Sequence, residues 1–136
     1  MLKQIFKIIL KYFFAVLLLT TAVGKLLDNR GFAQVIGNYQ LPIPQDFLLP
    51  LALFVSLVEL FLGLSLLKAD QQKRNAVFVI LIHLGYSGLA ALTLWRQIPL
   101  TNCGCFGVFW ARPMSPMTLA EDVILVLLSI IFYFLV

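Results

Sequence analysis

Four apolar runs of about twenty residues each leave this chain few folds to choose from. The first extends from about Ile5 to Leu27 with Lys7 and Lys11 in its first turns, and the second from Phe47 to Leu67 with Glu59 as its one charge. The third, Ala76 to Trp95, carries no fixed charge and one histidine, His83; the fourth, Leu119 to Val136, has Glu121 and Asp122 at its start. A hydrocarbon core roughly 30 Å thick needs about 20 mostly apolar residues in a helix. Lipid offers the backbone no hydrogen-bond partners, so helices are the form such runs take. The expected fold is an all-α membrane protein, a single four-helix domain over residues 1–136. Its spans fall at about 5–27, 47–67, 76–95 and 119–136. A secretory signal is the rival reading of the first run, with Lys3, Lys7 and Lys11 as its basic region and Ala22-Val23-Gly24 as a loose cleavage site. The expectation here is a retained span.

Composition agrees with this. The chain is 62% hydrophobic and 12% charged, with a mean hydropathy of +1.01, where a soluble domain is about half apolar and about a quarter charged. One small core cannot hide so much apolar surface, and the surplus must meet lipid or partner subunits. The net charge of +4 is scattered rather than gathered into a stripe, so nucleic-acid binding has no support.

Basic residues also report orientation. Four spans put both termini on one side, together with the dense short loop Lys68-Ala69-Asp70-Gln71-Gln72-Lys73-Arg74. Lys3, Lys7, Lys11, Lys68, Lys73 and Arg74 share that face, against Lys25, Arg30, Arg96 and Arg112 on the other. The positive-inside rule then predicts cytoplasmic termini and two long outer loops. In the first outer loop Phe32, Val35, Ile36 and Tyr39 recur at helical spacing opposite Arg30, Gln34 and Asn38, which predicts a short helix on the membrane surface. Pro42 and Pro44 stiffen the return, and Pro50 suits the first turn of the second span. In the second outer loop Pro113 and Pro116 interrupt any long helix, and Thr118 with Glu121 reads as a capping box opening the last span. Phe106, Phe109 and Trp110 fit the interfacial belt.

That second loop holds the only two cysteines, in Cys103-Gly104-Cys105. On the outer face disulfides persist. Bridging residues two apart requires a folded backbone with Cα atoms about 4.4–6.8 Å apart, and Gly104 can adopt unusual dihedrals at little cost. So small a ring gains little from loop closure, which favours a labile, exchanging disulfide over a staple. Three readings stay open from the residues: exchange, an inert pair, and a soft-metal grip. Two thiolates suit Cu(I), whereas zinc wants four ligands.

The buried polar residues are the other candidates. Glu59 and His83 lie about 12–14 Å from one membrane face at 1.5 Å per residue, on neighbouring antiparallel spans. An ionisable group inside the bilayer is a functional candidate by default. The plainer expectation is a neutral Glu59 satisfied by His83, Tyr86 or a backbone carbonyl, with Lys25 a second partner nearer the outer end. Gly85, Ser87, Gly88, Ala90 and Ala91, and Gly63-Leu64-Ser65, predict close helix packing. Glu121 and Asp122 are read as complements to the helix dipole.

Two stretches resemble a known family. Ala22-Val23-Gly24-Lys25-Leu26, the Phe32–Pro42 segment and Glu59-Leu60-Phe61-Leu62-Gly63 resemble the DoxX-like membrane proteins. Asn102-Cys103-Gly104-Cys105-Phe106-Gly107 resembles their MauE branch, the methylamine-utilisation membrane proteins. The resemblance implies a four-helix protein of a prokaryotic inner or plasma membrane, concerned with thiol–disulfide handling outside the cytoplasm. Cys103 and Cys105 would be the exchanging pair, supported by Gly104, Phe106 and Gly107. The partner would be thioredoxin-like or a disulfide-containing extracytoplasmic protein. Lys25 and Glu59 match family positions without an assigned chemical role. Quinone enters as a cofactor only through architectural likeness to quinone-linked thiol oxidases; their relays often use two cysteine pairs, and this chain has one. A non-catalytic accessory or scaffold subunit of a larger membrane complex is the second expectation, and soft-metal handling the third.

Overall fold

Each apolar run closes its own backbone hydrogen bonds as a helix, and all four begin a few residues ahead of the run itself. The computed structural model describes residues 1–136 and contains no strand. In chain order the helices are α1 (Leu2–Leu27), α2 (Asn29–Asn38), α3 (Gln45–Leu67), α4 (Gln72–Trp95) and α5 (Pro116–Leu135). All but α2 are long and apolar enough to cross a membrane. Early starts cost little where Gln, Lys and Arg, good helix formers, lead into the run, as at Gln72-Lys73-Arg74.

Local chemistry sets the ends, not always as expected. Ser115 caps α5 by accepting a hydrogen bond from the Thr118 N–H at 3.3 Å, with Pro116 at the first helical positions. The capping box predicted at Thr118 and Glu121 does not form. Thr118 instead donates to the Pro113 carbonyl at 3.0 Å, and Glu121 pairs with Arg112 at 2.5 Å. Pro50 lies inside α3 rather than in its first turn, because the helix already begins at Gln45. Asp28 caps α2 through the Gly31 N–H at 2.9 Å.

The most extensive helix contacts join α1 to α3 and α4 to α5, and α2 packs on α3. Two apolar cores result. One gathers Leu10, Phe14, Leu18, Leu62, Leu66, Val79 and Phe132. The other gathers Phe32, Ala33, Val35, Tyr39, Ala52 and Leu100 around α2. Between them along α1, α3 and α4 runs a layer of buried polar side chains: Thr21, Lys25, Ser56, Glu59 and His83. Only 32 of 136 residues are buried, and the outward surface carries Phe13, Val16, Phe54, Phe61, Leu81 and Ile131. Such a surface is stable only against lipid or another apolar partner.

Two packing expectations are corrected. The apolar face of α2 is turned into the protein, with Phe32 6% and Val35 7% exposed, leaving Arg30, Gln34 and Asn38 outside. The neighbouring connections offer this face a protein partner, so it does not rest on lipid. Gly85 and Gly88 face open space, where an added Cβ would meet nothing within 4 Å. Gly63 does permit close approach, since a Cβ there would lie 2.8 Å from Leu19.

Candidate functional site

The thiols are held by a connection that folds back on itself between α4 and α5. Cys103 N–H donates to the Arg112 carbonyl at 2.7 Å and Met114 N–H to Leu100 at 3.0 Å, pairing the two arms. Asn102 staples the tip: its Oδ1 accepts from Gly104 N–H at 2.9 Å and its Nδ2 donates to the Gly107 carbonyl at 3.1 Å. Gly104 and Gly107 take φ of +79° and +74°, the left-handed region that glycine enters without strain. Each also lacks room for a side chain. A Cβ on Gly104 would lie 2.8 Å from Val35, and one on Gly107 would run into the Gly24 carbonyl. A Cβ on Gly24 would in turn strike the Phe106 carbonyl. The loop therefore sits backbone against backbone on α1, under the apolar face of α2. Tyr39 adds a hydroxyl that donates to the Cys103 carbonyl, and Phe106 stacks on Trp110 with ring centroids 5.0 Å apart.

Within this frame the two sulfurs lie 3.1 Å apart, both as free thiols. Cys103 is 6% exposed and Cys105 is half-buried. The two thiols are hydrogen-bonded to each other, and that contact, with help from the Cys105 backbone N–H and the Arg112 charge, brings Cys103 down to about 6 against the opposing effect of burial. Cys105 moves the other way, its proton held in the shared bond and its surroundings buried. Burial, followed by the charge of the two sulfurs, raises the Tyr39 hydroxyl. The two sulfurs thus differ in acidity, with Cys103 shifted down and Cys105 shifted up.

Directly behind the loop stands the polar layer. Lys25 Nζ donates to both oxygens of Glu59 at 2.7 Å and to the Tyr86 hydroxyl at 2.9 Å. Tyr86 donates to Glu59 Oε1, and Thr21 donates to Glu59 Oε2 at 3.2 Å. Both charged side chains are 1% exposed. Of the partners expected for Glu59, Tyr86 and Lys25 both join it, and His83 does not. His83 turns its Nδ1 to the Val79 carbonyl at 2.8 Å. The end of α1 reaches farther along α3 than a count from the second loop suggests, which brings Lys25 level with Glu59.

Two cavities connect the layers. One of about 140 Å3 touches Cys103, Gly104, Cys105, Lys25, Tyr86 and Asp122 among apolar side chains. The other, about 300 Å3, touches Cys105, Glu59, His83, Tyr86, Arg112 and Asp122. Sequence reasoning passed over Asp122 and Arg112. A signal for Asp122 was present: Thr118, Asp122, Val126, Ser129 and Phe132 recur every three or four residues and form the buried stripe of α5. Nothing in the sequence pairs Arg112 with Glu121 across a proline-broken loop.

No curated protein and no solved structure matches the chain. The family model described as methylamine utilisation protein MauE matches residues 3–135, nearly the whole length. This four-span membrane protein therefore belongs to the MauE family.

Proposed function

We propose that the chain exchanges thiol for disulfide through Cys103 and Cys105 with an extracytoplasmic partner, either thioredoxin-like or itself disulfide-containing. The observation that carries the reading is the polarised sulfur pair, 3.1 Å apart with Cys103 drawn down to about 6. An acidic thiol is the better leaving group in exchange. In the oxidised form a partner thiolate attacks Cys105 Sγ, the sulfur that lines both cavities, and expels Cys103 as thiolate. The partner's second thiolate then attacks its own sulfur in the mixed disulfide and releases Cys105. Two electrons pass from the partner dithiol to the pair, the partner gains a disulfide, and the reduced chain takes up one of the protons that the partner dithiol gave up on ionising. The reverse sequence reduces a partner disulfide.

The extracytoplasmic side follows from the excess of basic residues on the face with the termini and the α3–α4 turn. Gly104, Phe106 and Gly107 support the thiols by letting the loop dock on α1, while Lys25 and Glu59 form the floor. The cavity touching both sulfurs, about 140 Å3, is smaller than the roughly 300 Å3 at which sites for such ligands begin, which leaves the cavity of about 300 Å3 beside Cys105 as the place where a quinone has room. Soft-metal handling would rest on two thiolates alone, since no three His, Cys, Asp or Glu side chains are placed to hold one ion.

Thiol trapping on membranes tests the reading. Cys103→Ser should leave Cys105 in a stable mixed disulfide with its partner, and wild type should cycle between both states. Sulfurs that stay reduced, with serine variants oxidising the partner as fast as wild type, would sink it. The second reading, an accessory subunit of a larger membrane complex, is favoured by the apolar outer surface, including a groove of about 710 Å3 between α3 and α4. Purification in mild detergent decides that point, and a consistently solitary chain counts against it.

A further inference from the structure

Asp122 is the one carboxylate near the sulfurs whose bonding is not already spent. It is 8% exposed, joins neither of the two ion pairs and accepts no hydrogen bond. Its oxygens are not among the buried side-chain atoms sealed off without a partner, so they open onto the cavity space, and a carboxylate in a cleft beside reactive groups is placed for proton chemistry. Asp122 lines both cavities, as does Cys105, whereas Cys103 lines only one. The charged and titratable groups facing it from neighbouring elements are committed elsewhere. Lys25 on α1, Glu59 on α3 and Tyr86 on α4 satisfy one another, and Arg112 is bonded to Glu121. Tyr39 donates to a carbonyl, and His83 spends Nδ1 on Val79.

We propose that Asp122 is the proton acceptor and donor for Cys105. The inference rests on the exchange reading and supplies what that reading lacks, a place for the second proton. When the reduced pair closes, Cys103 already carries the negative charge, but the Cys105 proton must leave whichever sulfur meets the oxidant first. Asp122 takes that proton, the S–S bond forms, and two electrons pass to the oxidising disulfide, which departs as two thiols or thiolates. When the pair is reduced, protonated Asp122 returns the proton to Cys105 as it is expelled. Without that return, two anionic sulfurs would face each other at 3.1 Å.

The test measures closure of the reduced pair by 4,4′-dithiodipyridine in membranes across pH 5–9, for wild type, Asp122→Asn, Asp122→Glu and His83→Gln. Asp122→Asn should close about 100-fold more slowly near pH 7, within the usual range for loss of a general base. Its rate should climb about tenfold per pH unit, while wild type levels off once the carboxylate is ionised. Asp122→Glu should restore most of the wild-type rate and its plateau. A wild-type rate and profile in Asp122→Asn overturns the proposal, as does transfer of the whole defect to His83→Gln. A wild-type pair that never closes under this reagent overturns the exchange reading as well, which separates the two failures.

Discussion

Lys25–Glu59–Tyr86 and Cys103–Cys105–Asp122 border the same two cavities, yet they are bonded on opposite terms. In the first group both carboxylate oxygens and the ammonium are hydrogen-bonded, and the charged side chains are almost wholly withdrawn from solvent. In the second, two thiols are hydrogen-bonded to each other and the carboxylate joins neither ion pair. Low local dielectric sharpens both conditions, making a satisfied network stiff and an unsatisfied group costly. The lesson is a division of labour. The closed group fixes α1 to α3 and α4, and the open group keeps bonding capacity in reserve beside the sulfurs.

The largest test of this contrast removes one partner from the closed group. Glu59→Ala strands the Lys25 ammonium and should cost about 3–5 kcal/mol, seen as a fall in thermal unfolding temperature in detergent. Asp122→Asn should change stability by less than about 1 kcal/mol, because no bond is lost. Equal losses from the two variants would break the comparison. Next in size is Gly107→Ala, which forces a side chain into the left-handed region and onto the Gly24 backbone. A cost of about 2–3 kcal/mol is expected, with the loop lifted from α1 and Cys103 more readily alkylated. Tyr39→Phe removes one hydrogen bond to the Cys103 carbonyl, should cost about 1 kcal/mol, and isolates how far α2 holds the loop.

The smallest stability change belongs to Arg112→Gln, about 0.5 kcal/mol for a half-exposed pair. It should nevertheless move the alkylation midpoint of Cys103 upward from about 6, and Cys105→Ala should move it further, towards the ordinary value of 9.0. The sign of the pH effect follows from the same displacement. The folded state releases the Cys103 proton at lower pH than the unfolded chain does. This contribution to stability is therefore present in full above about pH 9 and is lost as pH falls through about 6. A reduced protein whose stability does not rise across that window contradicts the assigned acidity.

Much of this was legible in the chain. Apolar run length and the lipid requirement for closed backbone bonding specify the four long helices, and period 3.6 finds α2. The Cys-Gly-Cys string marks the candidate site because it holds the only two thiols of the chain. What escaped depends on level and facing rather than composition. Lys25 meets Glu59 because α1 packs against α3 with a particular axial offset, which hydropathy does not encode. The inward turn of α2 depends on a cover supplied far along the chain by the Cys loop. Asp122 looked like a dipole complement because its position near a helix start explains a carboxylate equally well; only its place on the buried stripe of α5 tells otherwise.

The order of these groups along the polypeptide bears on how the protein is made. Synthesis delivers Lys25 first and Glu59 second, so both halves of the ion pair exist once α3 has been completed. The two sulfurs come later, and Asp122 arrives last, on α5. A lone ammonium or carboxylate in a bilayer costs about 2.5–3.5 kcal/mol on insertion scales, so pairing α1 with α3 removes a penalty that neither helix can shed alone. A newly made chain thus settles its most expensive charges before it exposes a thiol to any oxidant.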